Sequence, residues 1–262
     1  MLWVRRGLLA AVLCLAAGLA WPGPGAGRRV TLAGSTALLP LARAAAAAFM
    51  RGHPGVVVQV SGGGSLVGLA QVGAGAVDIG MAEVPAPPGS GLAAHPVALL
   101  PLVPVVHPGT GLHGLTREQL RGVLTGRSRN WRQLGGRNLR IWLVNRSPAS
   151  GGRRALRREV LGSSRFSPRA MVMPSNGAVR QAVAATPGAL GYLQAGTLGS
   201  GVVPLAYAGV PYTPGAVRRG RYPLVARGTF YTRGRPAGAT AAFLAFVTGP
   251  FRAQLPAGML AP

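Results

Sequence analysis

The feature that most constrains the fold is a recurring pattern of strand, turn and helix in which the turn consists of small or hydroxyl-bearing residues. It occurs three times, as AGSTALLP at 33–40, SGGGSLVG at 61–68 and NRSPASGGRR at 145–154. Each turn follows a run of strand-forming residues and precedes a predicted helix, so each helix begins at the carboxyl end of a strand. This order predicts an α/β fold, in which ligands bind at the carboxyl ends of the strands.

The rest of the sequence also alternates between strand-like and helical segments, which supports the α/β class. Runs rich in Val and Leu predict strands, and amphipathic or Ala-rich runs bounded by Ser, Thr or Gly predict helices. The predicted strands include 30–32, 56–60, 97–106 and 139–144, and the predicted helices are 36–50, 65–73, 116–124, 150–162 and 239–255.

Charge is distributed unevenly along the chain and indicates two lobes. The 28 basic residues are all arginine, and with four acidic residues they give a net charge of +24. No arginine occurs from 52 to 116, whereas 117–169 contains 14 of them. We therefore predict two lobes: one is formed by 28–106 and 209–262 and includes the nearly neutral stretch 52–106, and the other is a strongly basic lobe formed by 107–208. The predicted crossovers lie near 97–108 and 202–214.

The first 27 residues predict a secretory signal peptide. Arg5 and Arg6 precede an apolar run from 7 to 20 that ends in small residues suited to cleavage. The run is shorter than the ~20 residues that span a bilayer, although an uncleaved membrane anchor is the alternative. Cys14, the only cysteine, lies in this run, so the mature chain would contain neither a disulfide nor a cysteine-based metal site.

The three turns have the chemistry of an anion-binding site. The first turn of a helix leaves backbone N–H groups without acceptors and carries a partial positive charge, and Ser or Thr adds a hydroxyl donor. Arg146, four residues before Ser150, adds a full positive charge at the third turn. Glu83, which ends the predicted strand after Asp78, is either an exposed charge or arginine partner, or an acceptor for the proton of a protonated oxyanion.

Seven segments, in order along the mature chain, carry a resemblance to a known family. They are GSTALLPLA (34–42), SGGGSLVGLAQVGAGAVDIGMAE (61–83), LTREQLRGVLTGRSRNWRQLGG (115–136), VNRSPASGGRRALRREVLG (144–162), NGAVRQAVAATPGALGYL (176–193), RYPLVARGTFYT (221–232) and FLAFVTGPF (243–251). The sequence resembles the periplasmic phosphate-binding proteins that serve Pst-type phosphate ABC transporters. The resemblance implies a two-lobe periplasmic solute-binding fold of type II, with hinge crossovers and a cleft that holds the anion between the lobes.

The resemblance also implies which residues form the phosphate site. They combine side-chain groups with backbone amides at the helix starts: Thr36, Ala37, Leu38, Ser65, Glu83, Arg146, Ser150, Gly151 and Gly152. The sequence departs from the family pattern at two positions. Gly152 takes the place of the usual Thr, and Pro148 stands where some members carry an Asp that pairs with the binding arginine. Arg146 would therefore be oriented mainly by Glu83 or by the ligand.

The resemblance further implies how the protein acts. It predicts a periplasmic or otherwise extracytoplasmic protein that captures inorganic phosphate and delivers it to an ABC permease in the inner membrane. It implies no cofactor, no metal and no catalysis, and we expect a monomer. Glu83 favours phosphate, which keeps a proton near neutral pH, over sulfate, which does not. Sulfate, molybdate or an organic phosphate are the alternative ligands.

The sequence gives little support to two other classes of function, an enzyme and a nucleic-acid-binding protein. An enzyme would need a nucleophile and a base, but the four carboxylates support little acid–base chemistry, and the histidines lack metal-ligand spacing. The high net charge would favour a basic nucleic-acid or surface-binding protein. No recognised binding motif accompanies it, and an all-arginine composition is also typical of codon bias. We therefore expect no specific nucleic-acid partner.

Overall fold

The computed structural model describes residues 28–262, which form an α/β structure with eleven strands and seven α-helices. The strands are β1 (Arg28–Gly34), β2 (Val56–Ser61), β3 (Ile79–Ala82), β4 (Leu92–Val106), β5 (Gly114–Leu115), β6 (Trp142–Arg146), β7 (Met171–Met173), β8 (Ala189–Gln194), β9 (Val203–Pro204), β10 (Ala206–Tyr207) and β11 (Val225–Arg233). The helices are α1 (Leu39–Gly52), α2 (Ser65–Gly73), α3 (Arg117–Thr125), α4 (Gly151–Leu156), α5 (Asn176–Ala185), α6 (Pro214–Arg218) and α7 (Gly238–Thr248).

The predicted signal peptide at 1–27, including Cys14, lies outside the described residues. Within 28–262, none of the helices is both long and apolar enough to cross a membrane.

One long strand joins the two halves of the main sheet. The strand order is β2-β1-β3-β11-β4-β8-β6-β7, and β9 also pairs with β4. The first part of β4, residues 92–101, pairs with β11, and its last part, 102–106, pairs with β8. The predicted crossover near 97–108 therefore falls on the continuous strand β4. Parallel pairing unites β1, β2 and β3 on one side and β6, β7 and β8 on the other.

Each half of the sheet has its own hydrophobic core. In the first half, α1 places apolar residues every four positions, so Leu41, Ala45 and Phe49 are buried against β1, β3 and α7. In the second half, the core surrounds Trp131 and Tyr192, both of which are almost fully buried. A separate small cluster packs α5 against β8 and the end of β4.

Most predicted helices are confirmed, and two differ in their second half. Thr116 caps α3, and its hydroxyl accepts a hydrogen bond from the Gln119 backbone N–H at 3.1 Å. The helix predicted for 150–162 begins as α4 and continues as a π-helical turn over Arg157–Leu161. The helix predicted for 239–255 ends at Thr248, because Pro250 cannot donate a helical hydrogen bond, and a 3-10 helix follows.

The return from the second half to the first, predicted near 202–214, stays a prediction, and the packing of residues 217–224 favours a later position. Val217, Tyr222 and Leu224 pack in the second core, and the Tyr222 hydroxyl donates to the Leu102 carbonyl at 2.9 Å. This packing favours a return at Val225, where β11 begins. The domain boundary at 208 stays a prediction, which the packing favours moving toward residue 225.

Candidate oxyanion-binding site

The carboxyl ends of the two parallel strand sets face each other across the middle of the molecule. The backbone N–H of Leu66, at the start of α2, donates to the Ala149 carbonyl at 3.2 Å. The Arg146 Nη2 donates to the Thr36 hydroxyl at 3.2 Å. Gly64 packs so closely that a Cβ there would lie 2.9 Å from the Ala149 carbonyl oxygen. These contacts bring the three predicted helix starts together at one junction.

Glu83 lies at the end of β3 and is buried in this junction, with 6% of its surface exposed. Its Oε1 accepts from the Ser35 hydroxyl at 2.5 Å, its Oε2 accepts from Gln194 Nε2, and its backbone N–H donates to the Ser65 hydroxyl at 3.1 Å. No arginine in residues 28–262 forms an ion pair with it. Glu83 is therefore neither the exposed charge nor the direct arginine partner of the simpler interpretation.

Burial raises the pKa of Glu83, because a charged carboxylate loses its hydration in the interior. The hydrogen bond from Ser35, the positive charge of Arg146 and the hydrogen bond from Gln194 oppose this rise without cancelling it. Burial is thus the largest influence on this carboxyl group, and its hydrogen-bond partners and Arg146 act against it.

Arg146 ends β6 and is also buried, with 2% of its surface exposed. Its Nη1 donates to Asn176 Oδ1 at 2.9 Å, and its Nη2 donates to the Pro174 carbonyl at 3.1 Å. Its Nε donates to the Met173 carbonyl at 3.3 Å. Burial lowers the pKa of Arg146 and the charge of Glu83 opposes this, but a guanidinium stays protonated in proteins. Arg146 is thus oriented by neutral acceptors and, within residues 28–262, makes no ion pair with Glu83, while its orientation by a ligand stays a prediction.

The backbone N–H and carbonyl groups of Arg146 are also held by hydrogen bonds. Its N–H donates to Asn145 Oδ1 at 2.8 Å and to the Tyr192 hydroxyl at 3.2 Å, and Tyr192 in turn donates to Asn145. Its carbonyl accepts from Arg153 Nη1 at 2.7 Å. Because both backbone groups are engaged, the guanidinium is held at a defined place at the carboxyl end of β6.

The GST turn before α1 uses its own polar groups internally. The Ser35 hydroxyl accepts from the Ala37 N–H at 3.2 Å, and the Ser35 carbonyl accepts from the Leu38 N–H at 3.1 Å. Thr36 is half-buried, and its hydroxyl also lies 3.5 Å from Asn176 Nδ2. An anion that used the amides of Ala37 and Leu38 would have to replace these acceptors.

The start of α4 depends on two glycines for its close approach to the first half. Ser150 caps the helix by accepting from the Arg153 N–H at 3.2 Å. A Cβ on Gly151 would lie 2.4 Å from the Ser65 hydroxyl, and a Cβ on Gly152 would lie 2.7 Å from Gln194 Nε2. Gln194 therefore occupies the space that a threonine side chain at position 152 would need. The glycine at this position, which departs from the family pattern, thus makes room for Gln194.

The predicted residues at this junction are Thr36, Ser65, Glu83, Arg146, Ser150, Gly151 and Gly152, whereas Ala37 and Leu38 follow Thr36 with their amides bonded inside the turn. The binding role of these nine residues stays a prediction. The structure adds three residues that the sequence interpretation missed. Ser35 adjoins the predicted Thr36, and its hydroxyl binds Glu83. Asn176 follows β7 and opens α5, so it shows the same strand, turn and helix order as the other three starts. Gln194 is the last residue of β8, and only its polarity at a strand end could have indicated it. In residues 28–262, no group of three or more His, Cys, Asp or Glu side chains could hold a metal ion.

Two α/β halves joined by a long strand, with polar helix starts facing each other at the junction, define a two-lobe solute-binding protein. A profile described as the PBP superfamily domain matches residues 22–250. The phosphate-binding protein PstS of Bacillus subtilis is 35% identical over 224 residues, which cover 83% of this chain and 74% of that protein. The chain therefore belongs to the PstS family of phosphate-binding proteins, and the resemblance found in its sequence is confirmed.

Solved structures confirm the two-lobe fold. An ABC-type phosphate transport receptor from Vibrio cholerae has a TM-score of 0.74 and 26% identity, covering 89% of this chain and all of that one. A candidate phosphate ABC transporter substrate-binding protein from Clostridium perfringens, solved with bound phosphate, has a TM-score of 0.83. It is 23% identical and covers 90% of this chain and 100% of that one.

Proposed function

We propose that this protein binds inorganic phosphate at the junction of its two halves and delivers it to an ABC permease. The observation that carries the proposal is the buried Arg146 guanidinium, which contacts both halves and has no carboxylate partner within residues 28–262. A buried cation without a counter-charge is costly, so a bound anion would stabilise it. The family relationship to PstS supports phosphate as that anion.

The site residues are part of the same proposal. Arg146 would supply the charge and a planar fork of donors, which matches the geometry of a phosphate group. The hydroxyls of Thr36, Ser65 and Ser150 would add neutral donors. Backbone amides at the starts of α1 and α4 would complete the set: Ala37, Leu38, Gly151 and Gly152.

Glu83 would select the anion. When ionised, its carboxylate accepts hydrogen bonds but cannot donate them, so it favours a ligand that carries a proton. Phosphate carries one near neutral pH and sulfate does not. Gln194 Oε1, which is buried and has no hydrogen-bond partner among the described residues, would offer a second acceptor for that proton. A buried acceptor left without a donor is costly, so sulfate, which has no proton to donate, would bind less tightly than phosphate.

The setting of the protein follows from the same family. We propose that the chain acts outside the cytoplasm as a monomeric binding protein and catalyses no reaction. The partner permease would contact it from the membrane. The predicted signal peptide would direct its export.

Calorimetric titration of the purified protein with phosphate and with sulfate, at moderate salt, tests the proposed function. We expect one phosphate per chain and much weaker sulfate binding. Absence of phosphate binding, or a preference for sulfate, would overturn the assignment. A specific buried site should retain most of its phosphate affinity when salt is raised, because buried charges are screened far less than exposed ones.

A further inference from the structure

A cavity lined mainly by arginine side chains lies on the basic half, outside the candidate phosphate site. Its volume is about 560 Å³, and it is lined mainly by Arg153, Arg154, Arg157, Arg158, Arg165 and Phe166. No acidic residue of the described chain is among its lining residues. We propose that this arginine cavity binds a linear oligophosphate, a chain of linked phosphate groups, separately from the single phosphate at the junction.

The local helix geometry concentrates the charges. After α4 the backbone winds into the π-helical turn Arg157–Leu161, a rare conformation that occurs often at functional sites. This turn buries Val160 and Leu161 and leaves Arg157 and Arg158 exposed beside the cavity. Glu159 belongs to the same turn but is not a lining residue.

Most of the guanidinium donors in the cavity have no protein partner. Arg153 is held, because it donates to the Arg146 carbonyl and its Cζ lies 4.7 Å from the centre of the Phe166 ring. The other four lining arginines form no side-chain hydrogen bond and no ion pair with any residue in 28–262. The ion pairs found there join Glu118 to Arg121 and Arg127. Each unpaired guanidinium offers a fork of donors that fits two phosphate oxygens.

The charge and shape of the cavity favour a chain of phosphates over other anions. Five positive charges in one cavity repel each other, and a ligand with several negative charges relieves this repulsion more than a single phosphate does. The volume lies within the range of ordinary small-ligand pockets. A nucleic acid would be favoured by a free aromatic face for base stacking, but the Phe166 ring already carries Arg153.

Calorimetry with sodium tripolyphosphate tests the proposal on the purified protein. We compare Arg157→Gln/Arg158→Gln with Arg218→Gln/Arg219→Gln (the α6 variant), which removes two neighbouring exposed arginines at the C-terminal end of α6 and so has the same net charge. We expect the cavity variant to weaken tripolyphosphate binding about tenfold or more, and the α6 variant to weaken it less than about twofold. Arg154→Gln/Arg165→Gln gives a second cavity variant should the first be unstable.

Several outcomes would overturn the proposal. Equal losses in the cavity and α6 variants would show that only the overall positive field attracts the anion. Absence of tripolyphosphate binding to the unmodified protein would also refute it. Loss of tripolyphosphate binding in Arg146→Ala would place the anion at the junction instead. Competition by duplex DNA at equal affinity would assign the cavity to polyanions in general. Phosphate titration of the same variants reports separately on the proposed function, so either hypothesis can fail alone.

Discussion

Arg146 and Glu83 end strands in opposite halves of the molecule, and their surroundings differ in a consistent way. The Arg146 guanidinium is held by neutral acceptors, namely the Asn176 amide oxygen and the carbonyls of Met173 and Pro174. The Glu83 carboxylate is held by neutral donors from Ser35 and Gln194. Each charge is therefore satisfied without being neutralised by the other.

This difference divides the work of anion binding between the halves. Because Arg146 is always charged, the second half would attract any oxyanion with similar strength. Because the oxygens of an ionised Glu83 carboxylate accept hydrogen bonds but cannot donate them, the first half would distinguish oxyanions by their protons. The following experiments try to separate attraction from selection.

Removing the positive charge of Arg146, which attracts the anion, should have the largest effect on binding affinity. We expect Arg146→Ala to weaken phosphate and sulfate binding alike, by about 30-fold or more, because it removes a buried charge from the ligand. Isothermal calorimetry measures both affinities. Arg218→Ala, which removes an exposed arginine on α6, is the control and should change either affinity by less than about twofold. Retention of phosphate affinity in Arg146→Ala would disprove the division.

Removing the selection should change the ratio of the two affinities. We expect Glu83→Gln to reduce the preference for phosphate over sulfate about tenfold, because the amide can donate to a fully ionised oxyanion. The control is Glu118→Gln, since that carboxylate is exposed and contacts only the arginines of its own region. An unchanged ratio in Glu83→Gln would mean that selection resides elsewhere in the site.

The match between Gly152 and Gln194 can be tested by a double-mutant cycle. We expect Gly152→Thr to lower the free energy of unfolding by about 1–3 kcal/mol, because its Cβ would overlap Gln194. In the Gln194→Ala background the cost of the same change should be at least about 1 kcal/mol smaller. Urea unfolding measures each variant, and Gly73→Thr serves as a control because a Cβ there meets nothing within 4 Å. If the two substitutions had additive effects on the free energy of unfolding, Gly152 and Gln194 would not be coupled.

The smallest expected effect is on stability as a function of pH. Since the pKa of Glu83 is raised above its ordinary 4.5 in the folded protein, ionising this carboxyl costs stability. Its contribution is complete below pH about 4.5 and is lost as the pH rises through the folded-state pKa. We therefore expect phosphate-free Glu83→Gln to gain stability relative to the unmodified protein as the pH rises to 8, measured by urea unfolding. A constant difference between pH 4 and pH 8 would show that burial does not shift this group.

The sequence allowed the local parts of the site to be predicted, because strand, turn and helix starts depend on neighbouring residues. Thr36, Ser65, Arg146 and Ser150 could be located in this way. The partners of Glu83 could not be predicted, since Gln194 lies 111 positions away along the chain and approaches only through the fold. The close packing of Gln194 against Gly152 could not be predicted for the same reason, although the glycine is a visible departure from the family pattern.

The return crossing predicted at 202–214 is hard to place from the sequence for a different reason. It is predicted because the last helix must return to the first half, and neither this requirement nor the charge pattern fixes the residue at which the chain crosses. Tyr222 and Leu224 are buried in the second core, although Arg218, Arg219 and Arg221 beside them are exposed. Apolar packing therefore favours a return later than residue 214. The predicted helix 239–255 runs through Gly249 and Pro250, although this pair is a sequence signal for the end of α7.

The position of β11 between β3 and β4 also determines when each half can fold. The strands and helices of the second half lie between β4 and β11 in the chain, so that half is synthesised without interruption. The first half waits for residues 225–233 to fill the gap in its sheet. During synthesis, the first half to begin is thus the last to be completed. A chain that stops before residue 225 would leave β3 and the first part of β4 as unpaired strand edges prone to aggregation.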